Sequence, residues 1–388
     1  KICKIVKRKH AVAVTSGTAA LDIAITAIGI QKGDEIIMPA GTIISCVNQV
    51  LRLGAIPIFV DSKIDTLNMD PEKIENLISK KTKAILLVHL YGLPAEVDQI
   101  LKIAKKYNLI VVEDSAEMLG QYYRKKPCGS FGLISTFSFY ANKHVTTGEG
   151  GMIVTNSKKL YNKCFELRNL CFKKKKRFIH YDLGWNYRMT NLQAAVGLAQ
   201  LEKLNKITKA KREIGNFYNK KLYKLKNINL PIIKTEYAKN IYWVYTILLK
   251  YENKIAADVV CDKLIKKGID TRRMFYPLNK QPILNKLGIK KQICPIAERL
   301  YKYGFYLPSG LGINQKDQTR VAKNLINIIT KKWSNIVQKN LYFSLITIHI
   351  VGLIIYFFVF GTLNVYYGKI EYSDVNILSV IYICVLIL

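Results

Sequence analysis

The sequence predicts an α/β fold in which a mostly parallel sheet is covered on both faces, joined to a smaller α+β domain and an apolar C-terminal tail. Three observations carry that prediction. Short apolar runs at 35–38, 56–60, 84–89 and 110–113 alternate with amphipathic stretches at 45–53, 71–79 and 97–107, and strands apolar on both faces between helices belong to parallel sheets. Beyond about Ile207 the alternation gives way to a long lysine-rich helix, a strand over 242–249 and a helix over 256–267. After about residue 340 the chain becomes almost continuously apolar. The expected boundaries are a large domain over 1–206, a small one over 207–335 and a tail over 341–388.

The first strand is read at 11–15, and Ser16-Gly-Thr-Ala-Ala-Leu21 turns directly into a helix running to about Ile28. Ser16 is placed to cap that helix. The same start, with its free amides and positive dipole end, could instead hold an anion through Ser16, Gly17 and Thr18. Asp114 closes the strand in Val111-Val-Glu-Asp-Ser-Ala-Glu117, at the end where parallel sheets bind ligands. It could cap the next helix or hold a protonated ring nitrogen.

A buried strand over 134–139 then leads through a turn-rich segment to Lys143, and Thr146-Thr-Gly-Glu-Gly-Gly151 crosses to the next strand, at 152–155. Most lysines of so basic a chain are solvated surface groups. One held between apolar strands and beside glycines loses hydration, which favours the free amine that condensation with a carbonyl requires. Farther on, Asp182-Leu-Gly-Trp-Asn-Tyr-Arg-Met-Thr-Asn191 introduces a helix from about Leu192 to Leu204. Before it, Lys173-Lys-Lys-Lys-Arg177 reads as a solvated loop or a diphosphate site.

At 388 residues and half apolar, the chain can bury a large core. Its formal charge of +33 is spread through every predicted helix and loop without a helix-turn-helix, zinc-finger or RNA-binding motif, which argues against specific nucleic-acid binding. Eight cysteines contain no C-x-x-C pair and no histidine cluster at ligand spacing, so reduced thiols, a cytoplasmic setting and no metal are expected. The stretch 341–363 would span ~34 Å as a helix at ~1.5 Å per residue, enough to cross a bilayer. Lys331, Lys332 and Lys339 before it would leave the preceding domain on the cytoplasmic side. A second apolar segment at 375–388 is too short to span. The chain starts at Lys1 with no signal peptide, so a fragment or processed product is expected.

Taken together, Ser16–Leu21, Glu113-Asp-Ser-Ala-Glu117, Phe137-Ser-Phe-Tyr-Ala-Asn-Lys143, Thr147-Gly-Glu-Gly-Gly151 and Asn186-Tyr-Arg-Met-Thr-Asn191 resemble the DegT-type nucleotide-sugar aminotransferases. These are pyridoxal-phosphate (PLP) enzymes of the aspartate-aminotransferase fold, fold type I, with a mostly parallel seven-stranded sheet. Order and spacing match over about residues 5 to 330. The resemblance implies transfer of an amino group from glutamate to a 4-keto-6-deoxy nucleotide sugar, in a homodimer with shared active sites. It implies that Lys143 is the cofactor-linked lysine and Asp114 the partner of the pyridine nitrogen. Glu117 would lie near the phenolic oxygen, and Gly17, Thr18 and Ser138 would form the phosphate cup. Asn186 would reach the phosphate in the neighbouring subunit, and His144, Arg168 and Arg188 are candidates for gripping substrate.

Three departures from the family pattern stand out. Ile43 occupies the place where an aromatic ring commonly stacks on the cofactor, a loss of about 0.5–1.5 kcal/mol. The family's N-terminal arm is not seen before Lys1, and the apolar tail is foreign to the family. A related branch that dehydrates ketosugars has histidine in place of the lysine; here Lys143 holds that place with His144 beside it, which favours transamination. A membrane-tethered scaffold that keeps the fold without chemistry is the remaining alternative.

Overall fold

The structure is a computed structural model describing residues 1–173, 178–250, 255–330, 347 and 349–352. A short helix α1 (Ile2–Val6) leads into strand β1 (His10–Val14) and helix α2 (Gly17–Ala27). Then follow β2 (Glu35–Pro39), α3 (Ser45–Arg52), β3 (Ile56–Val60), β4 (Thr82–Val88), α4 (Val97–Lys106) and β5 (Ile110–Asp114). A small hairpin, β6 (Tyr122–Tyr123) and β7 (Lys126–Pro127), precedes β8 (Ile134–Ser138) and β9 (Gly151–Thr155). These strands make a seven-stranded sheet in the order β1-β9-β8-β5-β4-β2-β3. The run from β8 to β3 is parallel, and β9 is antiparallel to both of its neighbours.

The apolar runs form central strands because both faces are covered. In β4 every residue but Lys83 is buried. On α2 the unbroken stretch Ala19–Ile25 is buried, as suits a helix pressed between β8–β9 and its helical neighbours. Ser16 is the N-cap, extended at φ −161°, and its Oγ accepts from the Ala19 amide at 3.0 Å.

After α5 (Lys158–Arg168), α6 (Asn191–Glu202) and α7 (Leu204–Leu222) comes a second sheet. It is formed by β10 (Ile228–Asn229), β11 (Tyr245–Leu249), β12 (Arg272–Arg273) and β13 (Gly304–Leu307), with helices α8 (Ala257–Ile265), α9 (Pro282–Lys286) and α10 (Pro295–Tyr303). Its order is β10-β11-β13-β12 and all its pairings are antiparallel.

Two local expectations fail for identifiable reasons. The helix expected over 71–79 is two separate 3₁₀ turns, Pro71–Lys73 and Glu75–Leu77. A segment that short cannot offset helix nucleation, and Ile78 is already extended toward β4. The strand expected from Tyr242 starts only at Tyr245, because Tyr242 has a left-handed backbone (φ 49°) and its amide donates to Asn240 Oδ1 at 2.7 Å.

The membrane-spanning helix expected over 341–363 is corrected. Among the described residues no helix is long and apolar enough to cross a membrane. Of that segment only 347 and 349–352 are described, as helix. An apolar run sets only an avoidance of water; crossing needs one uninterrupted helix of about 20 residues. The segment at 375–388 and residues 174–177 of the basic run lie outside the described residues.

Candidate active site

The carboxyl ends of β2, β4, β5 and β8 lie at one edge of the parallel sheet, and a cavity of about 360 Å³ opens there. Eight of the residues singled out from the sequence line it: Ser16, Gly17, Thr18, Ile43, Asp114, Glu117, Ser138 and Lys143.

At one end stands the start of α2. Thr18 Oγ1 lies 2.8 Å from Ser45 Oγ, and the amides of the first turn give this end the positive pole of the helix. A Cβ on Gly17 would stand 2.8 Å from Ser138 Cβ, so only glycine lets α2 begin this close to the end of β8.

Asp114, the last residue of β5, is buried. Its Oδ1 accepts from the Ala116 amide at 3.0 Å and its Oδ2 from the Cys46 thiol at 3.5 Å. Burial raises its pKa, opposed by the Ala116 N–H and the charge of Lys143. A carboxylate with so few donors keeps hydrogen-bonding capacity for a cationic partner.

Lys143 hangs from the loop between β8 and β9. Its Nζ lies 3.8 Å from Glu117 Oε1 and 3.9 Å from the centroid of the Trp243 ring, whose Nε1 donates to the Asn142 carbonyl at 3.1 Å. Burial pulls the lysine's pKa down, with Glu117 and then Asp114 opposing. Burial pushes Glu117 up, against the charge of Lys143 and the Tyr91 amide, which donates to Oε2 at 2.5 Å. Both shifts run toward the neutral forms, the direction that an amine acting as nucleophile and base requires. Ile43 sits at the mouth, 45% exposed.

Four expected residues stand elsewhere. His144 lines a neighbouring cavity. Arg168 donates from Nη1 to the Ala13 carbonyl at 3.0 Å, Arg188 donates to Asn169 Oδ1, and the exposed Asn186 pairs with Asn169. Lys173 pairs with Glu166 at 2.7 Å. None of these residues lines the cavity that holds Asp114 and the start of α2.

The sequence reading missed much of the wall: His89, Trp243, Arg272, Phe275 and Tyr306. It also missed Glu113, which is wholly buried under the site and accepts from His89 Nε2 (3.2 Å), Ser115 Oγ (3.0 Å), Ser135 Oγ (3.0 Å) and the Phe131 amide (2.8 Å). An acidic residue inside an apolar strand, directly before Asp114, was the available signal. Trp243 follows a left-handed Tyr242 that crowds Gly92 (φ 95°), a constraint no periodicity reveals.

A lysine and an aspartate facing one cavity at the strand ends of such a sheet define an enzyme of the aminotransferase fold. The chain belongs to the DegT/DnrJ/EryC1/StrS aminotransferase family, which it matches over residues 1–326. It is 41% identical to GDP-perosamine synthase of Escherichia coli O157:H7 over 327 residues, 84% of this chain and 87% of that protein. Identity to GDP-perosamine synthase of Caulobacter vibrioides is 40%, covering 83% and 86% of the two chains. Among solved structures, Helicobacter pylori PseC, an aminotransferase of pseudoaminic acid biosynthesis, superposes with a TM-score of 0.80 at 28% identity, covering 85% and 89%. The protein is a sugar aminotransferase.

Proposed function

We propose that this chain uses PLP to move an amino group from glutamate to C4 of a GDP-linked 4-keto-6-deoxyhexose, a step toward surface polysaccharide. The observation that carries the reading is the Lys143 amine, held 3.8 Å from Glu117 in a cavity that also holds Asp114 and the start of α2.

The residues fit PLP in three respects. The glycine at Gly17 keeps the helix start clear at the phosphate end, Asp114 keeps accepting capacity for a protonated ring nitrogen, and Lys143 is an amine within the same cavity. Bound there, PLP supplies an aldehyde for amines and a ring that accepts electrons. Ser16, Gly17, Thr18 and Ser138 would hold its phosphate, Asp114 its ring nitrogen, and Glu117 would face its phenolic oxygen. Ile43 would cover one ring face without aromatic stacking. Lys143 Nζ, whose pKa burial lowers, would take the proton from the donor's Cα and later return one to the sugar's C4. The Trp243 ring and the Glu117 carboxyl hold that amine at the cavity wall between the two transfers.

The same proposal includes a homodimer. Leu183 before α6 and Leu192, Val196 and Leu198 on it are exposed apolar residues that a second subunit would cover, and Asn186 would reach the phosphate in that subunit. Incubation of purified protein with glutamate and GDP-4-keto-6-deoxymannose tests the reading. Release of 2-oxoglutarate in step with aminosugar is expected. Release of ammonia without aminosugar would instead identify a dehydratase.

A further inference from the structure

A second cavity, of about 520 Å³, lies on the other side of Lys143 and shares Asn142, Trp243, Arg272 and Tyr306 with the first. The proposed transamination does not use it. Besides the Lys143 amine, its wall carries two cations, Lys211 and Arg272, against one carboxylate, Asp270. Lys211 is 6% exposed and spends one of its three ammonium hydrogens on the Ser309 carbonyl, at 2.6 Å. Among the described residues neither Lys211 nor Arg272 forms an ion pair. Arg272 is exposed, but Lys211 is buried, and a buried cation is ordinarily paired.

His144, in the same wall, is 4% exposed, and among the described residues its Nε2 has no hydrogen-bond partner. Its other ring nitrogen is engaged with the Ile241 backbone. Burial, then the nearby Lys211, holds the ring neutral, with its pKa near 3, so Nε2 offers a lone pair and takes a donor. Lys211, lowered by burial to about 8, remains mostly charged at neutral pH.

We infer that this cavity is a binding site for a small dicarboxylate that also carries a hydroxyl or ammonium donor, the acid groups meeting Lys211 and Arg272 and the donor meeting His144. A ligand there touches Asn142 and Trp243, which fix the Lys143 amine, and so reaches the reaction without occupying the catalytic cavity. The acid could be the reaction's own keto acid or an unrelated effector.

L-malate is the probe, because it has neither an amino group nor a ketone to enter transamination. Titrated calorimetrically into the holoenzyme, it should bind saturably. Lys211→Met should weaken binding at least ten-fold, Lys211→Arg should largely restore it, and His144→Phe should weaken it about three-fold. Malate should also lower kcat at saturating glutamate. Equal malate affinity in wild type and Lys211→Met, no saturable binding, or purely competitive inhibition against glutamate each overturn the inference. Should Lys211→Met not fold, Gln200→Glu places a new negative charge in the same wall and must weaken binding comparably. Titration with 2-oxoglutarate separates the sources: Lys211-dependent binding of both acids assigns the site to the reaction's keto acid, and binding of malate alone to an outside effector. Turnover of glutamate in the absence of malate is a separate readout, so failure here leaves the transaminase reading standing.

Discussion

The Cys46 thiol donates to the Asp114 carboxylate, Sγ to Oδ2 at 3.5 Å, and lies 3.6 Å from Thr42 Oγ1. A thiol is a weak donor, so this contact leaves Asp114 more basic than a hydroxyl would. A hydrogen bond of about 0.5–1.5 kcal/mol corresponds to roughly half to one pKa unit. Cys46→Ser should therefore move the pH below which PLP binding fails downward by about that much, and Cys46→Ala should move it upward. A pH titration of PLP binding, read by absorbance, checks the sign. Equal shifts in both variants would mean that packing alone is at work.

Replacing Lys143 by alanine should abolish the visible absorption that appears on adding PLP. It should also lower turnover by roughly 10³-fold or more, since nucleophile and proton carrier are lost together. Stopped-flow spectra with glutamate measure both effects, and near-normal turnover would remove Lys143 from the chemistry.

Glu113 gives a stability prediction. Burial opposes its charge, but His89 and the loop amides outweigh burial and hold its pKa at about 2, below the ordinary 4.5. A depressed carboxylate pKa stabilises the fold fully above pH 4.5, and that contribution is lost as pH falls toward 2. The shift corresponds to ~3 kcal/mol. Glu113→Gln should cost about that much at pH 7 and flatten the acid limb of Tm against pH, as calorimetry can record.

Ile43→Phe should tighten PLP binding by about two- to ten-fold, the aromatic contribution of about 0.5–1.5 kcal/mol that isoleucine lacks. Fluorescence titration of the apoenzyme gives the dissociation constants. Weaker binding in the variant would mean that the mouth of the cavity is too narrow for a ring.

The strands, the α2 cap and eight of the cavity residues, Ser16 and Lys143 among them, were legible because they depend on chain-local signals: a cap, an apolar run, an acid at a strand end. Trp243, Arg272 and Tyr306 were not, since they come from the lead-in to β11 and from β12 and β13, and meet Lys143 only through tertiary packing. Arg168 and Arg188 looked like anion grips by residue type, yet each donates to a structural acceptor, Arg168 to the Ala13 carbonyl on β1 and Arg188 to Asn169 Oδ1. Glu113 was overshadowed by the aspartate after it. At the tail, apolarity of composition suggested a span that no described helix provides.

The antiparallel placement of β9 has a mechanical consequence for the lysine. Because β8 and β9 are hairpin partners, the loop carrying Lys143 returns to the strand next to the one it left. It is closed at its neck by Phe139, whose amide donates to the Gly150 carbonyl at 2.8 Å and whose carbonyl accepts from the Thr147 amide at 2.9 Å. The reactive amine is thus tethered at both ends to one rigid ladder, and its swing between two bound molecules is confined to side-chain torsions.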